Sequence, residues 1–435
     1  MEKARVDLSK MKNIIKKIDK TGEDIRNFNY GYHSLDMLIP GKDREKTRDF
    51  SISCAKGYKP TEENAIRIDD GRYPVWAEYD DVMFRVVADA DCIEIQEEDN
   101  LFSSFRNTRN GYFSNLDFSK CKRMNRAFRG GFQHIIMSNF LGTESVEDLS
   151  CMFVGCQNLE SVDIRPFFKA GNHIRNMREM FSRCYKLKEI TGMETFDVSN
   201  VEDMTSAFFS TQIEKLDASK WNIRNLMSAK RAFQNCRQLT SVNLDGWDVR
   251  HLRNTEMMFC SDQQIKAVKI DDWNLENIGN MYAMFEGCES ITEIDFSSWK
   301  IGDKLHRIND MFSGCTSVRS INLNGWETSN VVQMDRLFED CKNLEELNIN
   351  TFSTKRLRTM DSMFRNCQAL IALDLAHFDV SACKSMISMF DGCKNLISLN
   401  LSGWKLRTDT IACQCFNGCE SLVLVDMNIF DGLRM

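Results

Sequence analysis

The stretch MISMFDGCKNLISLNLSGW, Met386 to Trp404, carries the pattern that decides the fold. Its Phe390 has equivalents spaced mostly 26 residues apart, and its closing Trp404 has equivalents in step with them. The landmark phenylalanines are Phe102, Phe128, Phe153, Phe181, Phe208, Phe233, Phe259, Phe285, Phe312, Phe338, Phe364, Phe390 and Phe416. The closing aromatics are Trp221, Trp247, Trp273, Trp299, Trp326, Phe352, Phe378, Trp404 and Phe430. Two markers that share one period indicate a solenoid of about 13 repeats of ~26 residues.

Each repeat has two halves with different periodicities. In LISLNLSGW (396–404), Leu399 and Leu401 alternate with a polar residue, as in a short strand with one buried face. In NVVQMDRLFEDC (330–341), the apolar residues recur at helical spacing. We therefore expect an α/β repeat solenoid of the leucine-rich-repeat plan, with parallel strands on one face and short helices on the other.

Composition and charge exclude several classes of protein. The chain has 435 residues, 43% of them hydrophobic, and a net charge of -7 without a strongly basic region, so we expect no nucleic-acid partner. No stretch approaches the ~18 apolar residues of a membrane-spanning helix. The start, MEKARVDLSKMKNIIKKIDK, has charges where a signal peptide is apolar. A cytoplasmic or virion-associated location is favoured, and surface display by a non-classical route stays open.

Three regions follow from these patterns. Residues 1–72 form an unassigned N-terminal segment in which residues 3–20 read as a basic amphipathic helix, with Leu8, Met11, Ile15 and Ile18 on one face. That helix has three candidate roles: lying on an anionic membrane surface, pairing with another helix, or packing over the fold. Residues 73–100 form a lead-in cap of the array, and residues 101–435 form the solenoid.

The 17 cysteines are an odd number in a long chain, and we interpret them as reduced thiols. Nine of them lie three residues after a landmark phenylalanine, where a small buried hydrophobe fits: Cys156, Cys184, Cys236, Cys288, Cys315, Cys341, Cys367, Cys393 and Cys419. No CxxC pair supports a zinc site, and Cys413 and Cys415 form only a CxC. We expect no metal and no cofactor.

The chain carries no motif of a known enzyme class. A phosphate loop, a GxSxG elbow, an HExxH pair and a dinucleotide fingerprint are all missing from the sequence. The six histidines share no spacing with a Cys, Ser or carboxylate partner. We therefore expect no enzymatic activity; a catalytic pair, if present, belongs to residues 1–72, near Tyr30 to His33.

The phrase MxxMFxGCxxLxxLxLSxW, nearly intact from Met386 to Trp404, resembles the bacterial surface protein 26-residue repeat family. This family is related to leucine-rich repeats and is found in surface lipoproteins of mycoplasmas and other bacteria. The lead-in from Tyr73 to Phe105 resembles the start of such arrays. The resemblance implies an adhesin-like or uncharacterised surface protein, although the sequence shows neither a signal peptide nor a lipoprotein cysteine.

Two columns of side chains are expected on the strand face. The first column lies between the paired apolar residues and consists of Asp and Asn with one Lys. We interpret it as a structural polar ladder. The second lies seven residues before each closing aromatic and contains the candidate partner-binding residues: Glu214, Thr240, Lys266, Thr292, Arg319, Glu345, Ile371, Ile397 and Val423, with Leu424 beside the last. Its final three members change from polar to apolar, which is typical of a partner surface, or of a strip that a neighbouring segment covers.

We interpret the chain as a non-catalytic, adhesin-like scaffold that binds a protein or glycan partner along its strand face. The alternative is a structural component of a larger assembly, such as a virion or surface layer. Because the sequence shows no polar cap after Phe430, we also expect self-association or a capping partner at the C-terminal end.

Overall fold

In this computed structural model the described residues are 3–4, 49–60, 65–68, 73–79, 83–95, 102, 108–168, 171–195, 197–270, 273–425 and 427–430. They fall into two compact units. The first unit comprises residues 1–201 and 207–212, and the second comprises residues 202–206 and 213–435. The predicted helix over residues 3–20 lies outside the described residues, except for the first two, which form a short strand.

The first unit is built from short strands. They are β1 (Lys3–Ala4), β2 (Asp49–Cys54), β3 (Ile66–Arg67), β4 (Val75–Tyr79), β5 (Met83–Ala88), β6 (Cys92–Glu94), β7 (Asn110–Ser114), β8 (Leu116–Asp117), β9 (His134–Ser138), β10 (Ser161–Asp163) and β11 (Glu189–Thr191). Eight of them form a sheet in the order β11-β10-β9-β7-β2-β5-β4-β3, and β1-β6-β8 form a second, parallel sheet. In the larger sheet only β3, β4 and β5 pair antiparallel, so the region predicted as a lead-in contributes a hairpin to the start of a parallel array.

The second unit repeats short strands, eight of three residues and two of two residues. Its strands are β12 (Lys215–Asp217), β13 (Ser241–Asn243), β14 (Ala267–Lys269), β15 (Asn274–Leu275), β16 (Glu293–Asp295), β17 (Lys300–Ile301), β18 (Ser320–Asn322), β19 (Glu346–Asn348), β20 (Ala372–Asp374) and β21 (Ser398–Asn400). Neighbours pair in parallel with a shift of one repeat, as in Leu216 to Val242 to Val268. The repeats form a β-solenoid of about 11 turns, fewer than the 13 predicted, with the expected ~26-residue spacing.

The predicted short helices are wrong. The described residues contain no α-helix, only 3₁₀ segments at Thr143–Ser145, Met193–Thr195 and Met427–Phe430. Ser362 lies two residues before Phe364 and Asn366 two residues after it, and their φ angles are 55° and 59°. These angles fall in the left-handed region, which a right-handed helix excludes. The same pair recurs around the other landmark phenylalanines from Phe153 onward, with glycine often at the second position.

Backbone bonds between repeats replace the bonds of a helix. The N–H groups of Ser362, Phe364 and Asn366 donate to carbonyls of the next repeat at 2.8, 2.9 and 2.7 Å. Because left-handed residues alternate along this segment, every second N–H points along the solenoid axis. These N–H groups therefore form their hydrogen bonds with the neighbouring repeat rather than within their own repeat. The apolar residues that looked helical in sequence face the core because they belong to this stack of turns.

Stacked aromatic rings fill the core. Phe338, Phe364 and Phe390 stack with centroids 5.5 and 5.6 Å apart, and the tryptophans at the closing position form a second stack. The Trp404 indole N–H donates to the Leu375 carbonyl of the preceding repeat at 2.8 Å. Both periodic markers of the sequence are therefore ladders of the core.

None of the helical segments among the described residues has the length and apolar character to span a bilayer.

None of the 17 cysteines is paired in a disulfide in this structure. Eight of the nine that follow a landmark phenylalanine by three residues are buried, and Cys419 is half-buried. The prediction that these side chains are buried is therefore confirmed for eight of the nine.

Candidate binding surface

The predicted binding column lies in the second unit, one residue per repeat, immediately before the short strands. The Ile397 N–H donates to the Ile371 carbonyl at 2.8 Å, and the Val423 N–H donates to the Ile397 carbonyl at 3.1 Å. The same bond joins Glu345 to Arg319 at 2.8 Å. The parallel register thus places the apolar members of the column on successive repeats.

The apolar strip, which we define as Ile371, Ile397, Val423 and Leu424, is exposed. The exposed fractions of these residues are 60%, 42%, 73% and 62% in that order. By contrast, Leu373, inside β20, is 8% exposed. Ile371 and Ile397 each precede a strand, so they lie outside the alternation that turns Leu373 and Leu399 into the core.

The polar members of the column are Glu214, Thr240, Lys266, Thr292, Arg319 and Glu345. All are exposed except Thr240, which is half-buried and donates its hydroxyl to the Glu214 carbonyl at 3.0 Å. They extend the strand face with groups of both charges next to the apolar strip.

The neighbouring polar column already has internal partners. Asp374 Oδ1 accepts from the Ala376 N–H at 3.0 Å, and Asn400 Oδ1 accepts from the Ser402 N–H at 3.1 Å. The Ala376 N–H and the Asn400 side chain lower the pKa of Asp374 below its usual range. These bonds hold the turn after each strand, so this column has the structural role that its sequence predicted.

A ladder of ion pairs on the turn face was missed by the sequence reasoning. Arg336 lies 3.5 Å from Asp310, and Arg365 lies 3.3 Å from both Glu339 and Asp391. Burial raises the pKa of Asp310 to about 6, although the Arg336 charge opposes the shift. The sequence signal for these ion pairs is that opposite charges stand at equivalent positions of neighbouring repeats, counted from Phe312, Phe338 and Phe364. These positions fall in the segments that we predicted as helices.

In the described part of the chain, no group of three or more His, Cys, Asp or Glu side chains is placed to hold a metal ion. A shallow depression of about 430 Å³ lies between two repeats and is lined by residues 376–381 with Gly403 and Lys405. The region from Tyr30 to His33 and the chain end at 431–435 lie outside the described residues.

Comparison with solved structures finds leucine-rich-repeat proteins among its matches. A crystal structure of a TLR13–ssRNA13 complex is 15% identical, with a TM-score of 0.24, over 78% of this chain and 55% of that one. This chain therefore spans about half the length of that structure. A leucine-rich-repeat protein of Leptospira interrogans is 11% identical, with a TM-score of 0.21, over 73% of this chain and 86% of that one. A search of curated proteins gives no significant match.

A family model described as "Mycoplasma protein of unknown function, DUF285" matches the chain four times, over residues 96–221, 170–266, 227–320 and 306–425. The overlapping matches cover most of the chain and follow its repeats. They confirm the predicted resemblance to the mycoplasma-type 26-residue repeat family. The chain belongs to the DUF285 family of repeat proteins.

Proposed function

We propose that this chain is a non-catalytic scaffold that binds a protein partner through the strand face of its repeat array. The observation that carries the proposal is the apolar strip: four aliphatic side chains on three successive repeats, each at least 42% exposed. Exposed apolar patches of this kind mark interaction surfaces.

The strip and the polar column together have the composition of a protein interface. The central side chains of an interface are apolar, and the residues around them are polar. Fully burying one isoleucine, leucine or valine side chain contributes about 1.5–3 kcal/mol. A protein surface can bury aliphatic side chains of this number, whereas a glycan offers mainly hydroxyl groups; a protein is therefore the favoured partner.

The test compares two double variants of equal charge change. Ile397→Glu with Val423→Glu places two charges in the strip, and Ala267→Glu with Ser298→Glu places two charges on exposed positions outside both columns. Each tagged full-length chain is incubated with extract from its native source, and captured proteins are quantified by mass spectrometry.

We expect a protein that the unsubstituted chain and the control variant capture equally and that the strip variant loses. Equal capture by both variants would contradict the proposal. Sedimentation of each purified chain distinguishes a second copy as the partner. Recovery in a fixed ratio with many other components would favour the structural-component alternative.

A further inference from the structure

The position three residues after each landmark phenylalanine carries a side chain that can donate a hydrogen bond, from Phe153 onward. It is cysteine in nine repeats, threonine in one, as Thr211, and aspartate in one, as Asp262. In eight of the nine cysteines the thiol donates to the carbonyl of the landmark phenylalanine in the preceding repeat, at 2.9–3.2 Å. We call this series the thiol ladder. Near neutral pH a thiol and a hydroxyl keep the proton that they donate, whereas an aspartate with an ordinary pKa is ionised and cannot donate.

Asp262 is fully buried in the thiol ladder. Its Oδ1 accepts from the Cys236 backbone N–H of the preceding repeat at 2.7 Å. Its Oδ2 is buried without a hydrogen-bond partner. A buried, ionised carboxylate oxygen without a hydrogen-bond partner has lost its hydration and gained no bond in return, which costs free energy. A protonated oxygen in the same place carries a hydrogen that it can donate to a neighbouring carbonyl.

The surroundings of Asp262 contain no compensating cation among the described residues. The titratable groups around it are Cys236 on the preceding repeat, Cys288 on the next, and Cys260 on its own repeat, whose thiol lies 3.4 Å from Glu286 Oε2. Burial raises the pKa of Asp262 well above its usual range, and only the Cys236 N–H opposes the shift. Neutralisation is the usual response of an acid in such a place.

We propose that Asp262 is a proton-dependent lock in the solenoid. As a neutral acid it takes the place of a ladder thiol and donates from Oδ2 to the Phe233 carbonyl; when it ionises, this donor is lost and the array opens between the repeats of Phe233 and Phe259. This proposal describes how the array opens with pH, and it does not depend on the proposed binding function.

The sign of the pH dependence follows from linkage. Because the folded-state pKa of Asp262 is raised, the closed array binds one more proton than the open one at any pH between the two pKa values. The stabilisation is complete below the open-state pKa, near 4, and is lost as the pH rises toward the folded-state pKa. The opening equilibrium constant should therefore rise about tenfold per pH unit in that interval.

The test is hydrogen exchange of the full-length chain from pH 5 to 8, read on peptides that cover residues 231–265 and corrected for intrinsic exchange rates. The variants are Asp262→Asn, which cannot ionise, and Asp262→Cys, which restores the ladder residue. Asp295→Asn is the control, since this exposed carboxyl has a lowered pKa.

We expect the protection of residues 231–265 to fall about tenfold per pH unit in the unsubstituted chain and in the control. We expect it to be independent of pH in Asp262→Cys, and also in Asp262→Asn if that variant folds. A flat profile in the unsubstituted chain, or an equally steep profile in Asp262→Cys, would overturn the proposal.

Discussion

Ile397 lies directly beside Ile371 on the strand face: its N–H donates to the Ile371 carbonyl at 2.8 Å, and both side chains face outward. The next repeat adds Val423 and Leu424, which are more exposed still. The hydrogen bond fixes the register, and the register makes a continuous apolar strip from residues that are 26 positions apart in sequence.

Ile371, just before β20, and Leu373, inside it, should respond differently to substitution. Ile371→Ser should change the free energy of unfolding by less than about 0.5 kcal/mol, because the side chain is 60% exposed. Leu373→Ala should cost about 2–5 kcal/mol, because this side chain is 8% exposed and its removal leaves a cavity. Urea unfolding of both variants measures the difference. Equal losses would mean that Ile371 is part of the core.

The phenylalanine stack should dominate the stability of the array. Phe364 is fully buried between Phe338 and Phe390, so Phe364→Ala should cost about 3–5 kcal/mol. Each repeat contacts only its neighbours, so the loss should also divide unfolding into two steps. Calorimetry of the full-length chain would show both effects. A single transition that shifts only slightly would be inconsistent with a central role of Phe364 in the core.

Glycine substitutions distinguish the observed turns from the helices that the sequence suggested. Ser362 has a φ of 55°, which costs an L-residue about 1–2 kcal/mol. Ser362→Gly removes that strain and adds about 0.4–1 kcal/mol of unfolded-state entropy, so the net effect should be neutral to stabilising. In an α-helix the same change would destabilise by about 0.5 kcal/mol, the difference between the helix propensities of serine and glycine.

The matched control is Ser398→Gly in β21, where the residue is in a strand and glycine should destabilise by about 0.5–1 kcal/mol. Midpoints of urea unfolding give both values. If Ser362→Gly loses as much stability as Ser398→Gly, Ser362 does not have the left-handed conformation described here.

The sequence predicted the period, the core and the placement of the strip, because these depend only on which side chains are apolar and how far apart they lie. It did not predict the turns around Phe364, since apolar residues at three- and four-residue spacing fit both a helix and a stacked turn. The distinguishing signal was Asn, Asp, Ser or Gly two residues after the landmark, as at Asn366, where left-handed backbone is tolerated best. The partners of Asp262 and Arg365 were not predictable, because backbone carbonyls and neighbouring repeats supply them.

The thiols should react in the order of their burial. Burial raises the pKa of Cys315 and of Cys393 to about 12, so very little reactive thiolate exists at pH 8. Cys413 is half-buried and should be labelled by a neutral maleimide before Cys315 and Cys393. Peptide mass spectrometry over time gives the order. Labelling of Cys315 as fast as Cys413 in the folded chain would show that the thiol ladder is open to solvent.

The central claim is that a protein partner contacts the apolar strip, and site-specific photo-cross-linking tests it most directly. A benzoylphenylalanine residue replaces Ile397 in one chain and Ser298, an exposed residue outside both columns, in another. In native-source extract, we expect a protein adduct of one defined mass from position 397, little or none from position 298, and loss of the adduct when Val423→Glu is added. Equal adducts from both positions, or no adduct from position 397, would contradict this claim.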